Sequence, residues 1–353
     1  MSQRTLAGLV AVPLLLALWV AALWLPLPYV TYAPGLTVDV LGQDKDQEII
    51  QVNGHQTYRD DGQLRMTTVY VTQPGARVSL LQVMGAWISD EEAVYPYDSV
   101  YAPDETAEDA QMESAVQMVS SQDEAVAVAL EELGYDPVPV TKIQNVAQGM
   151  PADGGLKVGD ILLAVDDTAI VAPQDVATAI ERAGAGKPLA FDIERDGEEL
   201  TVRITPKQVD GSPRVGIVPG PGYQFPFAVH VNIDPDIGGP SAGLMFSLAI
   251  FDTLTPGSLT GDATVAGTGT MAADGSVGPI GGIQQKIAGA REAGAKLFLV
   301  PPDNCTDALG APHDDMRLVK AETMHDAVEA IQTWVDDPEA ALPTCSASAG
   351  AGE

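Results

Sequence analysis

An uninterrupted apolar run at residues 6–27 constrains this chain more than any other feature. It holds 22 residues, and between Arg4 and Asp39 no acid or base occurs apart from tyrosines. Such a run is too long and too uniform for one face of an ordinary core, and it suffices to cross a bilayer, which takes about 20 helical residues. A secretory signal has a shorter apolar core and a small-residue cleavage site, whereas Trp24-Leu25-Pro26-Leu27-Pro28-Tyr29 puts bulky residues and prolines there. The expectation is an uncleaved N-terminal transmembrane helix, with residues 1–28 forming a cytoplasmic tip and anchor. Arg4 is the only basic residue before the run, so the positive-inside tendency leaves the N-terminus in the cytoplasm. The rest of the chain is then expected on the extracytoplasmic side of the cell membrane. Trp19, Trp24 and Tyr29 suit an interfacial aromatic belt, and Pro13 suits a kink.

The chain has 353 residues. Single cores stop growing near roughly 250 residues, so two folded units are expected beyond the anchor. The net charge of -31 argues against a phosphate backbone as partner, because that needs clustered Lys and Arg. A solvated acidic surface explains the charge without a function. Cys305 and Cys345 are the only cysteines. In an exported domain they would form one disulfide tying the tail, residues 336–353, to the body, or else remain two free thiols.

Along the chain, residues 29–37 read as a Pro/Gly-punctuated connector, and residues 66–71 and 78–83 as strands. Residues 89–105 read as a loop, because Pro96 and Pro103 interrupt a stretch without a period. Met112, Val116, Val119, Val126, Leu130 and Leu133 recur at helical spacing and stop at Gly134. Residues 138–205 change to short strands around one helix at 173–183. Within them Gly149-Met150-Pro151-Ala152, Gly155-Leu156, Gly159-Asp160-Ile161-Leu162 and Val165-Asp166-Asp167 form a run that resembles PDZ domains of bacterial envelope proteases. The resemblance covers residues 138–207 and implies a groove that takes an extended peptide by strand addition. Leu133-Gly134-Tyr135 either serves as the carboxylate-binding loop or simply caps the preceding helix.

Two segments carry chemistry. Gly238-Gly239-Pro240-Ser241-Ala242-Gly243 lies between an apolar strand and a helical run, so Ser241 is expected at a helix N-terminus, where backbone N–H groups and the helix dipole favour an oxyanion. Taken alone, such a serine is more often a cap than a nucleophile. The four histidines supply no serine-histidine-aspartate pattern. In the helix after Gly282, Lys286 falls within the apolar stripe of Ile283, Ile287, Ala290 and Ala293. A lysine there loses hydration and becomes a neutral base, which is what a serine-lysine dyad requires; taken alone it is more often a snorkelling surface lysine.

Together, Gly239-Pro240-Ser241-Ala242-Gly243 and Pro279-Ile280-Gly281-Gly282-Ile283-Gln284-Gln285-Lys286 resemble the proteolytic domain of Lon proteases, in that order and at a similar separation. Leu259-Thr260-Gly261-Asp262 and Val265-Ala266-Gly267 extend the likeness. The resemblance implies an α/β (α+β) Lon-type domain over residues 215–335, with residues 29–137 supplying its first part and the PDZ-like domain inserted within it. It further implies Ser241 as nucleophile, Lys286 as general base and Thr260 as the threonine orienting the lysine, with an oxyanion hole from the backbone of Ser241 and of Gly238 or Gly239. Many Lon proteases carry an acid three residues before the serine; here that position is Gly238, a departure that bears on regulation through that acid and not on the dyad. No Gly-rich phosphate loop occurs, since Gly184-Ala185-Gly186-Lys187 is followed by Pro188 and lacks the spacing. The whole chain resembles the membrane-bound, PDZ-containing Lon-like proteins of bacteria. The implied activity is ATP-independent serine endopeptidase action on exported or unfolded polypeptides, without metal or cofactor, in a homo-oligomeric ring. A membrane-anchored peptide-binding adaptor with an inactive protease-like domain is the alternative.

Overall fold

The structure, a computed structural model, describes residues 3–24, 26–59 and 61–346, with backbone alone at residues 4–6 and 21–24. The apolar run forms the helix Gln3–Trp24, which contains Pro13. Among the described residues no helix is long and apolar enough to cross a membrane. The expected span at residues 6–27 includes residue 25 and the side chains of residues 6 and 21–24, which lie outside the described set, as do residues 347–353 of the tail.

One body is a mixed six-stranded sheet built from both ends of the chain. Its order is Arg317–Lys320, Leu297–Val300, Thr264–Gly267, Gln63–Val71, Tyr29–Asp39, Ala93–Pro96. The first four strands run parallel and the last two pairings are antiparallel. Leu297–Val300 is buried at every position, as expected of a strand covered on both faces. The alternation of a strand divides its residues between two cores. Val265, Leu297, Leu299 and Val319 join the core of the helices Ala107–Glu132, Gly243–Leu254 and Met324–Asp336. Ala266, Phe298, Val300 and Leu318 join Ile283 and Ile287 of the helix Ile283–Glu292 on the other face. The helix that follows the serine and the helix that carries the lysine therefore lie on opposite faces of one sheet.

The second body, inserted between the helix Ala107–Glu132 and the strand Ala228–Val231, has its own core around Ile143, Leu162, Val176, Phe191 and Ile193. Its sheet runs Glu198–Ile204, Leu189–Arg195, Ile161–Val165, Val138–Val146, Ile217–Gln224, beside the helix Pro173–Ala183. The sheet of this module thus extends past the expected end at 207, to Gln224. Residues 217–224, expected in the catalytic domain, pair along Val138–Val146 instead. Pro219 and Pro221 hide this strand from a propensity reading, and proline is tolerated because the strand lies at the sheet edge. Gly220 leaves room there for the Gln144 amide, which would have to move for a Cβ that falls 2.1 Å from it.

Three further expectations change. The connector at residues 29–37 is part of the strand Tyr29–Asp39, with an irregularity between Pro34 and Thr37 absorbing the Pro-Gly pair. The strand expected at residues 78–83 is instead the start of the helix Leu80–Ile88, nucleated by a capping box of Ser79 and Gln82. The loop at residues 89–105 contains the edge strand Ala93–Pro96. Cys305 and Cys345 are bridged, with Cα atoms 5.0 Å apart, and Thr344 pairs with Val319 beside the bridge.

Candidate active site

Gly239 has φ +86, a left-handed conformation that glycine adopts without strain. It turns the chain into Pro240 and Ser241 ahead of the helix Gly243–Leu254, whose N-cap is Ala242 and which receives no side-chain capping bond. Ser241 therefore lies one residue outside the cap position and its hydroxyl is not used for capping. The helix Ala107–Glu132 fixes this turn at two points. The Gly239 N–H donates to Ser114 O at 2.9 Å, and the buried Ser121 hydroxyl donates to Pro240 O at 3.0 Å. The same helix carries Asp123, which accepts from Lys142 Nζ and from the Tyr223 N–H, both at 2.6 Å. It thus holds the edge of the inserted module as well as the serine turn.

Lys286 comes from the far face of the sheet. The strand Thr264–Gly267 ends opposite Met66, while its neighbour Gln63–Val71 runs on. Beyond that end the neighbour's carbonyls are open on that side, and Lys286 Nζ donates to the first of them, Thr67 O, at 3.1 Å. Its other partners are Ser241 Oγ at 2.7 Å and Thr268 Oγ1 at 3.0 Å. The lysine is only 2% exposed, and among the described residues no carboxylate pairs with it. Burial without a counter-charge penalises the ammonium form and lowers its pKa from 10.5 to about 7.

Thr260 does not orient the lysine. It precedes the strand Thr264–Gly267, where its hydroxyl donates to Gly261 O at 3.3 Å, whereas Lys286 works at the opposite end of that strand. Thr268, directly after the strand, takes the part expected of Thr260. Its hydroxyl also donates to Ser241 O at 2.9 Å, an oxygen that accepts from the Gly269 N–H as well. The signal in the sequence was a hydroxyl between two glycines, Gly267-Thr268-Gly269, immediately past a buried strand.

The expected oxyanion donors separate. The Gly239 N–H is occupied by Ser114 O, while among the described residues the N–H groups of Gly238, Ser241 and Ala242 have no hydrogen-bond partner. All three residues line a cavity of about 470 Å³ that also exposes Ser241 and Lys286. Met66, Val69, Met118 and Ile237 make much of its wall apolar, and Asp234 and Asp236 stand among its acidic lining. Leu133-Gly134-Tyr135 closes the preceding helix: Gly134 has φ +85 and the Tyr135 N–H donates to Leu130 O. His230 lies on the strand Ala228–Val231, paired with Gln51, away from the dyad. Among the described residues no group of His, Cys, Asp and Glu has the arrangement of a metal site.

Residues 112–205 match the family model for the PDZ domain, and residues 228–350 that for the Lon protease C-terminal proteolytic domain. The first match begins inside the helix Ala107–Glu132, whose buried residues belong to the catalytic core. Lon protease 2 of Bacillus subtilis is 32% identical over 107 residues, 30% of this chain and 19% of that protein. A Lon protease of Phenylobacterium zucineum is 34% identical over 144 residues, 39% of this chain and 17% of that protein. This chain thus spans less than a fifth of the length of either relative. Among solved structures, the PDZ domain of an SdrC-like protein from Listeria innocua aligns at 20% identity with a TM-score of 0.22, covering 23% of this chain and 92% of that one. The chain carries a Lon-type serine peptidase domain with a PDZ domain set into it.

Proposed function

We propose that this protein is an ATP-independent serine endopeptidase that uses Ser241 and Lys286 to cut exported or unfolded polypeptides outside the cytoplasmic membrane, to which the helix Gln3–Trp24 anchors it. The observation that carries the reading is the contact of 2.7 Å between Ser241 Oγ and a buried Lys286 Nζ that has no carboxylate beside it. The neutral amine accepts the serine proton as Oγ attacks the scissile carbonyl. The N–H groups of Gly238, Ser241 and Ala242 are the donors open to the resulting oxyanion. The lysine ammonium then returns its proton to the departing amine, and water releases the acyl group by the same steps in reverse. Thr268 and Thr67 O hold the amine on line with Oγ throughout. Polypeptide chains are the substrates both domain types suit. The edge strand of the PDZ sheet, Ile217–Gln224, is held by Asp123 at Tyr223 and touches the helix Pro173–Ala183, and its stretch ahead of Gly222 is where an added strand would lie. Absence of a phosphate-loop motif in the sequence supports ATP independence, and the apolar helix at one end supports the anchor. Assembly into a homo-oligomeric ring belongs to the same proposal.

Mass spectrometry of an unfolded protein incubated with the full chain tests the reading directly. Fragments should appear with the wild type and vanish with Ser241→Ala; identical spectra would leave only a peptide-binding adaptor. The pH profile gives a second expected outcome. Because Lys286 acts as a base with its pKa lowered to about 7, kcat/KM should rise about tenfold per pH unit below that point and level off above it. A profile flat across neutral pH would remove Lys286 as the base.

A further inference from the structure

The helix Leu80–Ile88 has no role in the chemistry, and its surface is unlike the rest of the catalytic body. It contains no charged residue, and Ala86 is its only buried side chain. Leu81 is 59% exposed, Met84 46%, Trp87 80% and Ile88 73%. Leu81, Met84 and Ile88 follow the three-and-four spacing of one helix face, with Trp87 beside them. Its first turn is satisfied by Ser79 and Gln82, so it stands as a helix without a covering element. A single exposed leucine is ordinary, but four large apolar side chains on nine residues are not.

We propose that the helix Leu80–Ile88 lies in the interface of a lipid bilayer, as a second membrane contact that holds the catalytic body against the membrane. The proposal rests on the reading of Gln3–Trp24 as an anchor. Continuity selects lipid over a protein partner. The Leu27 N–H donates to Val78 O at 3.0 Å, which ties the chain three residues past the N-terminal helix to a point two residues before Leu80. The N-terminal helix itself presents Leu9, Val10, Leu14, Leu15, Leu18 and Trp19 at 59–65% exposure, so the two helices form one apolar surface. Tyr29 and Tyr95, on adjacent paired strands against which Leu80–Ile88 packs, are 38% and 42% exposed. Tyrosine and tryptophan at that level match the aromatic belt of a bilayer interface. Asp90, Glu91 and Glu92 end the apolar stretch on its water side.

The chain has four tryptophans, at 19, 24, 87 and 334, which allows a test on the full-length protein in vesicles of zwitterionic lipid with brominated acyl chains. One variant carries Trp19→Phe and Trp24→Phe, a second adds Trp87→Phe, and a third carries Trp87→Phe alone. The difference between the first two isolates Trp87 from the core residue Trp334; the third reports the anchor. Trp87 is expected to emit at short wavelength and to lose most of its intensity to the bromines. Unquenched Trp87 emission at long wavelength, with Trp19 and Trp24 quenched, overturns the interfacial helix and leaves the anchor standing. Unquenched emission at short wavelength overturns it in favour of burial against a second copy. If Trp19 and Trp24 also escape quenching, the anchor reading fails with it.

Discussion

Lys286→Met should lower peptide hydrolysis by at least about 10³-fold and yet make the folded chain more stable at mildly acidic pH. The loss of rate follows from removing the amine that the proposed mechanism uses as the base at Ser241 Oγ. The gain in stability follows from the cost of burying an amine. A pKa of 10.5 in the unfolded chain and about 7 in the folded one corresponds to about 5 kcal/mol as an upper bound. Against it stand the hydrogen bonds to Thr67 O, Thr268 Oγ1 and Ser241 Oγ that methionine cannot make, each worth about 1 kcal/mol. A net gain of roughly 1–3 kcal/mol is the expectation at pH 6. The sign of its pH dependence is fixed. Between pH about 7 and 10.5 the unfolded chain holds a proton that the folded chain lacks, so wild-type stability gains from this group as pH rises. Below that window the penalty is complete. The variant's advantage should therefore be widest below neutrality and narrow toward pH 10, in urea midpoints measured for both proteins at each pH. The self-repulsion of a chain with net charge -31 is nearly common to both and largely cancels. A difference that does not change with pH would mean that Lys286 is not held neutral by burial.

The meeting of Ser241 with Lys286 was legible because each half carried local evidence: two glycines and a proline before Ser241, and an apolar stripe containing Lys286. What was not legible depended on contacts distant in sequence. Thr260 and Thr268 flank the same strand, Thr264–Gly267, and only the site at which Lys286 passes beyond that strand separates the orienting hydroxyl from a structural one. The Gly239 N–H looked available until Ser114, 125 positions earlier, was found to accept from it. The edge strand Ile217–Gln224 escaped because alternating proline and glycine carry no strand signal; its pairing along Val138–Val146 supplies what its composition withholds. The helix Leu80–Ile88 shows the converse. Its capping pair, Ser79 and Gln82, stood in the sequence, but β-branched and apolar neighbours outweighed it.

Gly238→Asp, which restores the acid that the Lon resemblance leads one to expect, should cut kcat/KM by about 10²-fold or more. A Cβ on residue 238 would fall 2.2 Å from Ser114 Oγ, 3.0 Å from Ser114 Cβ and 3.3 Å from its carbonyl carbon. The hydroxyl can rotate aside, but Cβ and backbone cannot yield without moving either the helix Ala107–Glu132 or the serine turn. That helix is committed elsewhere, through Met118, Val126 and Leu130 in the core and Asp123 against the inserted module. The turn is the softer partner, so the strain should shift Ser241 away from Lys286 Nζ and break the Gly239 bond to Ser114 O. Displacement of about 1 Å at a nucleophile is enough for the stated loss. Ser114→Gly in the same chain removes the Oγ and Cβ contacts while keeping the carbonyl acceptor, and should recover most of the rate despite a helix cost of about 1 kcal/mol. If Gly238→Asp is instead fully active, the close approach of Ser114 does not govern the turn. If it is inactive but Ser114→Gly fails to help, the carboxylate itself does the damage, by favouring the lysine ammonium from across the cavity. The two causes separate in the pH profile, since a carboxylate that raises the lysine pKa moves the rising limb to higher pH, whereas a displaced serine lowers the plateau and leaves the limb in place.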